Sequence, residues 1–276
     1  MPYSYRSLGE RLREAGIENA AEEAAMLLYH VCGAGRATCL AERDRVWDAP
    51  EFDRLVELRC TRYPLQYILG EWSFYGCDFA VSEHCLIPRA DTELLVEQAV
   101  AKLPRGAVVA DLCTGSGCIA IALLRARPDV RVVALELFEN TLSLACENAR
   151  RNGVSDRFIP IRADLLRDGV DQLSPYAPFD GILSNPPYIR REELEALEPE
   201  LSYEPRAALD GGEDGMIFYR AILSDYWRLL KSGGVMLLEI GHDQAADVAG
   251  IAPAGAVVTI ARDLGGNDRV VGLTKL

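Results

Sequence analysis

The chain has 276 residues, 49% of them apolar, and a formal net charge of −13. That length suits one large domain or two smaller ones with a sizeable core. Polyanion binding depends on clustered Lys and Arg, so the charge argues against broad nucleic-acid binding, and no apolar run is long enough to suggest a membrane span.

Taken in order, residues from Ser4 to Arg62 predict helices. Leu8, Leu12 and Ala15 share one face; Ala24, Ala25, Leu27, Leu28 and Val31 mark a second segment; Leu55, Leu58 and Tyr63 mark a third. The breaks at Gly33-Ala34-Gly35 and Asp48-Ala49-Pro50 read as turns. Residues 1–70 are thus expected to form a helical, partner-recognising domain that ends in a compact connector over Pro64–Gly70. Residues 71–90 are expected as a linking β-hairpin, its two arms flanking Gly76-Cys77. A helix should then run to Leu103, with Asp91 as its N-cap.

From Gly106 onward strands and helices alternate. Strands are expected over 107–112, 130–136, 158–163, 179–184, 234–240, 257–261 and 269–274, and helices over 117–125, 139–152, 217–230 and 243–250. The alternation predicts an α/β domain over 91–276, a mainly parallel sheet with helices on both faces.

Eight cysteines are present: Cys32, Cys39, Cys60, Cys77, Cys85, Cys113, Cys118 and Cys146. None sits in a Cys-x-x-Cys pair or has His or Asp at zinc-ligand spacing, so no metal is expected. The amino terminus runs into charged, amphipathic sequence rather than an apolar signal core, which gives the expectation of a cytoplasmic protein with reduced thiols. With no apolar seam left over, a monomer is expected.

The chemistry concentrates at strand ends. Asp111-Leu112-Cys113-Thr114-Gly115-Ser116-Gly117 occupies the first strand-to-helix turn, where Gly115 and Gly117 let backbone approach a ligand and the helix N-terminus offers free N–H groups. Glu136, nineteen residues after Gly117, can hold both hydroxyls of a ribose. Asp111 can meet a cationic amino-acid moiety, Asp164 can accept from an adenine amino group, and Leu165 can cover the ring. After the fourth strand come Asn185, Pro186, Pro187 and Tyr188. The prolines offer no N–H, so the loop presents an amide oxygen and carbonyls beside an aromatic ring. Such a loop suits gripping a planar amino group; Asn and Pro also favour plain strand-ending turns. In an open sheet the carboxyl ends of these strands line one crevice.

Together, the glycine turn, Glu136 and Asn185–Tyr188 resemble the S-adenosylmethionine-dependent methyltransferases that modify planar amino groups, among them adenine amino methyltransferases and protein glutamine methyltransferases. The flanks narrow this. Gln66–Gly70, Phe74-Tyr75-Gly76, Leu86–Glu93, Tyr203–Leu209 and Gly266–Arg269 are similar to the release factor glutamine methyltransferases over nearly the whole chain. The resemblance implies a Rossmann-like class I methyltransferase domain, S-adenosylmethionine as cofactor, and peptide chain release factors as partners. It further implies methylation of the glutamine of their Gly-Gly-Gln loop, and a place for Leu86 opposite Tyr188 against the substrate. A sister group that methylates a ribosomal protein shares the Asn-Pro-Pro-Tyr loop. Relatives often carry Gly where Cys113 stands, Asp where Glu136 stands and an aromatic where Leu165 stands. Cys113 is expected to cost little if its backbone angles stay ordinary.

Overall fold

The computed structural model describes residues 2–276 and divides into two compact units. One runs to Glu71 and takes in Glu198–Tyr203; the other holds Trp72–Leu197 and Glu204–Leu276. No helix among the described residues is long and apolar enough to cross a membrane.

The first unit comprises β1 (Tyr3–Ser4), α1 (Tyr5–Glu14), α2 (Ala20–Cys32), α3 (Arg36–Ala41), β2 (Val46–Trp47), α4 (Phe52–Cys60) and α5 (Leu65–Leu69). A capping box starts α1: the Ser7 N–H donates to Ser4 Oγ at 3.1 Å and the Ser4 N–H to Ser7 Oγ at 2.9 Å. The apolar stripes of α1, α2 and α4 meet in a core of Leu8, Leu12, Leu27, Leu28, Phe52 and Val56. Each such buried side chain stabilises the unit by ~1.5–3 kcal/mol over its exposed state. The short β1–β2 pair and α3 were not legible in the periodicity, and the expected connector is α5, closed by Gly70 at φ +72°. Arg59, almost fully buried on α4, donates to Glu23 at 2.5 and 3.0 Å and to Glu200 at 3.1 Å. Arg62 adds bonds to Glu200 at 2.7 and 2.8 Å, which ties the Glu198–Tyr203 segment to the helices.

The second unit opens within β3 (Glu71–Phe74), from Trp72 onward, and continues with β4 (Cys77–Ala80). Their turn is Tyr75-Gly76, both at positive φ (49° and 69°), one residue earlier than the sequence suggests. Then follow α6 (Glu93–Lys102), β5 (Val108–Leu112), α7 (Cys118–Ala126), β6 (Arg131–Glu136), α8 (Glu139–Arg151), β7 (Phe158–Arg162), α9 (Gly169–Leu173), β8 (Phe179–Ser184), α10 (Ile217–Ala221), β9 (Leu230–Glu239), α11 (Ala245–Gly250), β10 (Ala256–Arg262) and β11 (Asp268–Lys275). The hairpin is stitched to α8, where Asn148 accepts the Ala80 N–H at 2.7 Å and donates to the Ala80 carbonyl at 3.0 Å.

The seven-stranded sheet has the order β10-β11-β9-β8-β5-β6-β7. β11 runs antiparallel to both β10 and β9; the other pairs are parallel. The central strands are nearly continuous apolar runs because both faces are covered.

Two helical expectations need correction. Asp91 does not cap α6: it lies in a 3-10 turn over Ala90–Thr92 and pairs with Arg269 at 3.2 Å. The helix expected over 217–230 is α10 followed by a π turn (Ile222–Tyr226) and a 3-10 turn (Trp227–Leu229). The wide turn follows the buried Tyr219 and ends on the buried Tyr226, Tyr219 donating to the Glu239 carbonyl and Tyr226 to the Leu165 carbonyl, each at 2.8 Å.

Candidate active site

β5 pairs with β6 on one side and β8 on the other, so the chain reverses its direction of winding there. The register sets Leu112 beside both Leu135 and Ser184. In an open parallel sheet this is where a crevice forms. A cavity of about 360 Å³ occupies it, a size suited to a small-molecule ligand.

Its wall brings together Cys113, Thr114, Gly115 and Ser116 from the glycine turn, Glu136 after β6, and Asp164 and Leu165 after β7. Asn185 and Pro187 after β8, together with Leu86, complete that wall. Asp111, Gly117, Pro186 and Tyr188 lie outside it.

Asp111 is fully buried beneath the turn, and its Oδ2 accepts from the Thr114 hydroxyl at 2.6 Å. Burial pushes its carboxyl up to about 7, against the pull of that hydrogen bond. Asp111 therefore braces the turn from below. Glu136 accepts from three backbone N–H groups: Gly115 at 3.1 Å, Leu137 at 2.9 Å and Phe138 at 3.1 Å. Burial raises its pKa, and these donors hold it back. Asp164 accepts the Leu166 N–H at 2.9 Å.

The glycine turn departs from expectation at two points. Cys113 takes φ +59°, a left-handed angle that costs a non-glycine residue ~1–2 kcal/mol. The condition under which it was expected to be cheap is not met. Gly117 lies outside the cavity wall. A Cβ there would lie 2.9 Å from Ile121 Cδ1 and 3.3 Å from Ala145 Cβ, so its bareness serves the packing of α7 on α8. Gly115, at φ +56°, has nothing within 4 Å of a Cβ position and is, of the two turn glycines, the one in the cavity wall.

The Asn185–Tyr188 loop is held from behind. Gln244 donates to the Tyr188 carbonyl at 3.0 Å, and Ile189 exchanges backbone hydrogen bonds with the segment Leu209–Gly211 at 3.0 and 2.9 Å. The Tyr188 phenol is pushed up to about 12, chiefly by burial, so it stays protonated. Asn185 Nδ2 donates to Thr92 Oγ1 at 3.2 Å. On the far wall Ile87 donates its N–H to Glu204 at 3.0 Å, and Arg89 pairs with the same carboxylate. Burial raises the Glu204 carboxyl while Arg89 lowers it.

Three residues with a part here escaped the sequence reading. Phe138 is a half-exposed aromatic in the cavity wall, two positions past Glu136; an aromatic directly after an acid-ended strand could have signalled it. Thr92 and Glu239 stand behind Asn185, and only the pairing of β8 with β9 reveals Glu239. Among the described residues no cluster of His, Cys, Asp and Glu could hold a metal.

Residues 5–70 match the family described as PrmC N-terminal domain, and residues 89–237 match Methyltransferase small domain. The chain is 42% identical over 267 residues to the release factor glutamine methyltransferase of Geobacter sulfurreducens, spanning 95% of this chain and 92% of that protein. It is 32% identical to the solved protein-(glutamine-N5) methyltransferase (release factor-specific) of Alicyclobacillus acidocaldarius, with a TM-score of 0.45 over 71% of this chain and 99% of that one. A solved methyltransferase from Pyrococcus furiosus, 17% identical, shares the fold, with a TM-score of 0.53 over 74% of this chain and 91% of that one. A sheet crevice lined by the glycine turn and by Asn185 and Pro187, and a relative that matches over more than nine-tenths of both chains, lead to one conclusion: this chain is an enzyme of the release factor glutamine methyltransferase family.

Proposed function

We propose that the enzyme transfers a methyl group from S-adenosylmethionine to the side-chain amide nitrogen of the glutamine in the Gly-Gly-Gln motif of peptide chain release factors. The observation that carries this reading is that Asn185 and Pro187 share one cavity with Gly115 and Glu136, so an amide held by the first pair lies next to a nucleotide held by the second.

The residues present fit that cofactor. Ser116 Oγ, in the cavity wall at the glycine turn, is buried without a partner. Gly115 leaves its Cβ direction open, and Glu136, Asp164, Leu165 and Phe138 set acceptors beside apolar surface. Glu136 keeps a lone pair for a ribose hydroxyl after its three backbone bonds. When bound, S-adenosylmethionine supplies a methyl group already activated by its positive sulfur.

The protein's task is alignment and charge management, because an amide nitrogen is a poor nucleophile. The Asn185 side-chain oxygen, in the cavity wall, accepts one hydrogen of the substrate amide, and the carbonyl of Pro186, which stands between the two wall residues Asn185 and Pro187, is the acceptor proposed for the other. Holding both fixes the nitrogen's orientation and stabilises the positive charge that develops as its lone pair is withdrawn from the carbonyl. Pro187 and Leu86 wall the amide. Tyr188, protonated, braces the loop rather than acting as a base. No group of the chain takes the proton before transfer; it leaves to water afterwards.

Replacing Asn185 by Ala tests this reading. Loss of one preorganised acceptor should cost about 3 kcal/mol of transition-state stabilisation, roughly a hundredfold in turnover on a release factor. Cofactor affinity should change far less. Near-normal turnover in Asn185→Ala would sink the amide-clamp reading.

A further inference from the structure

Behind Asn185 lies a buried acid that the mechanism above does not use. Glu239 is the last residue of β9, 2% exposed, and its Oε2 has no hydrogen-bond partner. In the β8–β9 register Ser184 pairs with Leu238, so the next residues, Asn185 and Glu239, are neighbours. The side chains of Thr92 and Asn185 are the polar groups beside the Glu239 carboxylate, and each lowers its pKa. Thr92 is itself buried, and its Oγ1 accepts from Asn185 Nδ2 at 3.2 Å.

The arrangement has a direction. An ionised carboxylate only accepts. Thr92 Oγ1 already accepts from Asn185 Nδ2, so its own proton is free to turn toward the neighbouring carboxylate of Glu239. The only end of Asn185 that can donate to that oxygen is its NH2. The oxygen end is left facing away from both acceptors.

We propose that Glu239 and Thr92 are positioning residues that orient the Asn185 amide, occupying its NH2 end so that Oδ1 is the atom presented to the substrate's amino hydrogens. The inference rests on the amide-clamp reading above and deepens it. With the opposite orientation the loop would set a donor against a donor, and the substrate amide would be repelled at the point where it must be gripped.

Several charged groups bear on Glu239. Burial pushes its carboxyl up to about 7; Thr92 from the 3-10 turn, Arg269 from β11 and Asn185 pull it back, and Asp91 adds to the push. Tyr188 and the neutral thiol of Cys118 on α7 also face it. Arg269 is in turn shared with Asp91 at 3.2 Å and Asp263 at 3.1 Å. The relay is polarised only while Glu239 is ionised, so it is best read at about pH 8.5.

The experiment compares wild type, Glu239→Gln, Thr92→Val and Thr92→Ser for kcat and KM on an intact release factor. Calorimetry gives the S-adenosylmethionine affinity, and melting gives the fold. A glutamine at 239 can donate to Thr92 and reverse the relay; a valine at 92 keeps the shape and removes it. Both should lower kcat by about 10–100-fold with cofactor Kd within about twofold. Thr92→Ser should recover most of what Thr92→Val loses, which separates polarity from packing. Should Glu239→Gln fail to fold, the Thr92 pair decides alone. Undiminished kcat in a folded Glu239→Gln, or equal kcat in Thr92→Val and Thr92→Ser, overturns the proposal. A neutron structure of the wild type reads the same point without turnover: Asn185 deuterons facing Thr92 support it, and Oδ1 facing Thr92 overturns it. If the wild type methylates no release factor, the functional reading fails by itself while the neutron map still decides the orientation.

Discussion

Gly115 and Gly117 stand two residues apart in one turn, yet the structure assigns them different work, and a pair of alanine substitutions separates the two. Both take positive φ, +56° and +82°, so each alanine should lose ~1–2 kcal/mol to backbone strain. At Gly115 nothing else is added, because no atom lies within 4 Å of the new methyl. At Gly117 the methyl meets Ile121 Cδ1 at 2.9 Å and Ala145 Cβ at 3.3 Å, and overpacking of that kind costs a further ~1–3 kcal/mol. Gly117→Ala should therefore be less stable than Gly115→Ala by about 2 kcal/mol, a gap in melting temperature of about 4–8 °C for a unit of this size. Cofactor affinity should run the other way. Gly115 lines the cavity and a methyl there meets no protein atom within 4 Å, so Gly115→Ala should weaken S-adenosylmethionine binding at least tenfold, whereas folded Gly117→Ala should bind within about threefold of wild type. Differential scanning calorimetry and titration calorimetry at a temperature where both variants are folded make the comparison. Equal melting points, or tighter cofactor binding in Gly115→Ala than in Gly117→Ala, would refute the division of labour.

Other substitutions test the surroundings of the site. Cys113→Gly should relieve the strain at φ +59° and raise stability by ~1 kcal/mol in a urea titration; no gain would mean the turn is not strained there. Asp111 has a folded pKa raised from 3.8 to about 7, so its contribution to stability is fully present below about pH 4 and is lost as pH rises through 7. Asp111→Asn should thus stabilise the cofactor-free protein at pH 8 by on the order of 2–4 kcal/mol and change little near pH 4; an equal gain at both would show that charge is not the cause. Glu204→Ala strands the Ile87 N–H and Arg89, and should cost about 3 kcal/mol while speeding hydrogen exchange at Ile87; unchanged protection of that amide would contradict the clamp.

Much of the site was legible because it sits at strand ends. An apolar run that stops at a polar residue marks the edge of a buried strand, and a parallel sheet gathers such edges, as Glu136, Asp164 and Asn185 are gathered here. What was not legible depends on side and register. Gly115 and Gly117 look alike in sequence; only the turn's path shows that one borders the cavity and the other a helix contact. Asp111 was expected against the ligand but lies under the turn, because the last residues of β5 alternate between faces. The Thr92–Asn185–Glu239 cluster draws on a 3-10 turn and two neighbouring strands, and no local pattern relates residues so far apart in the chain. Arg59 reads as the polar side of an amphipathic helix, and its burial becomes evident only when Glu23 and Glu200 are placed beside it.

The central claim is that the amide held by Asn185 belongs to a release factor glutamine. Mass spectrometry of a purified release factor after incubation with the enzyme and S-adenosylmethionine tests it most directly. One added methyl group, on the glutamine side chain of the Gly-Gly-Gln peptide and absent with Asn185→Ala, is the predicted result. A methyl group on any other residue, or an unmodified peptide under conditions in which the enzyme methylates a different protein or a nucleic acid, would contradict the account.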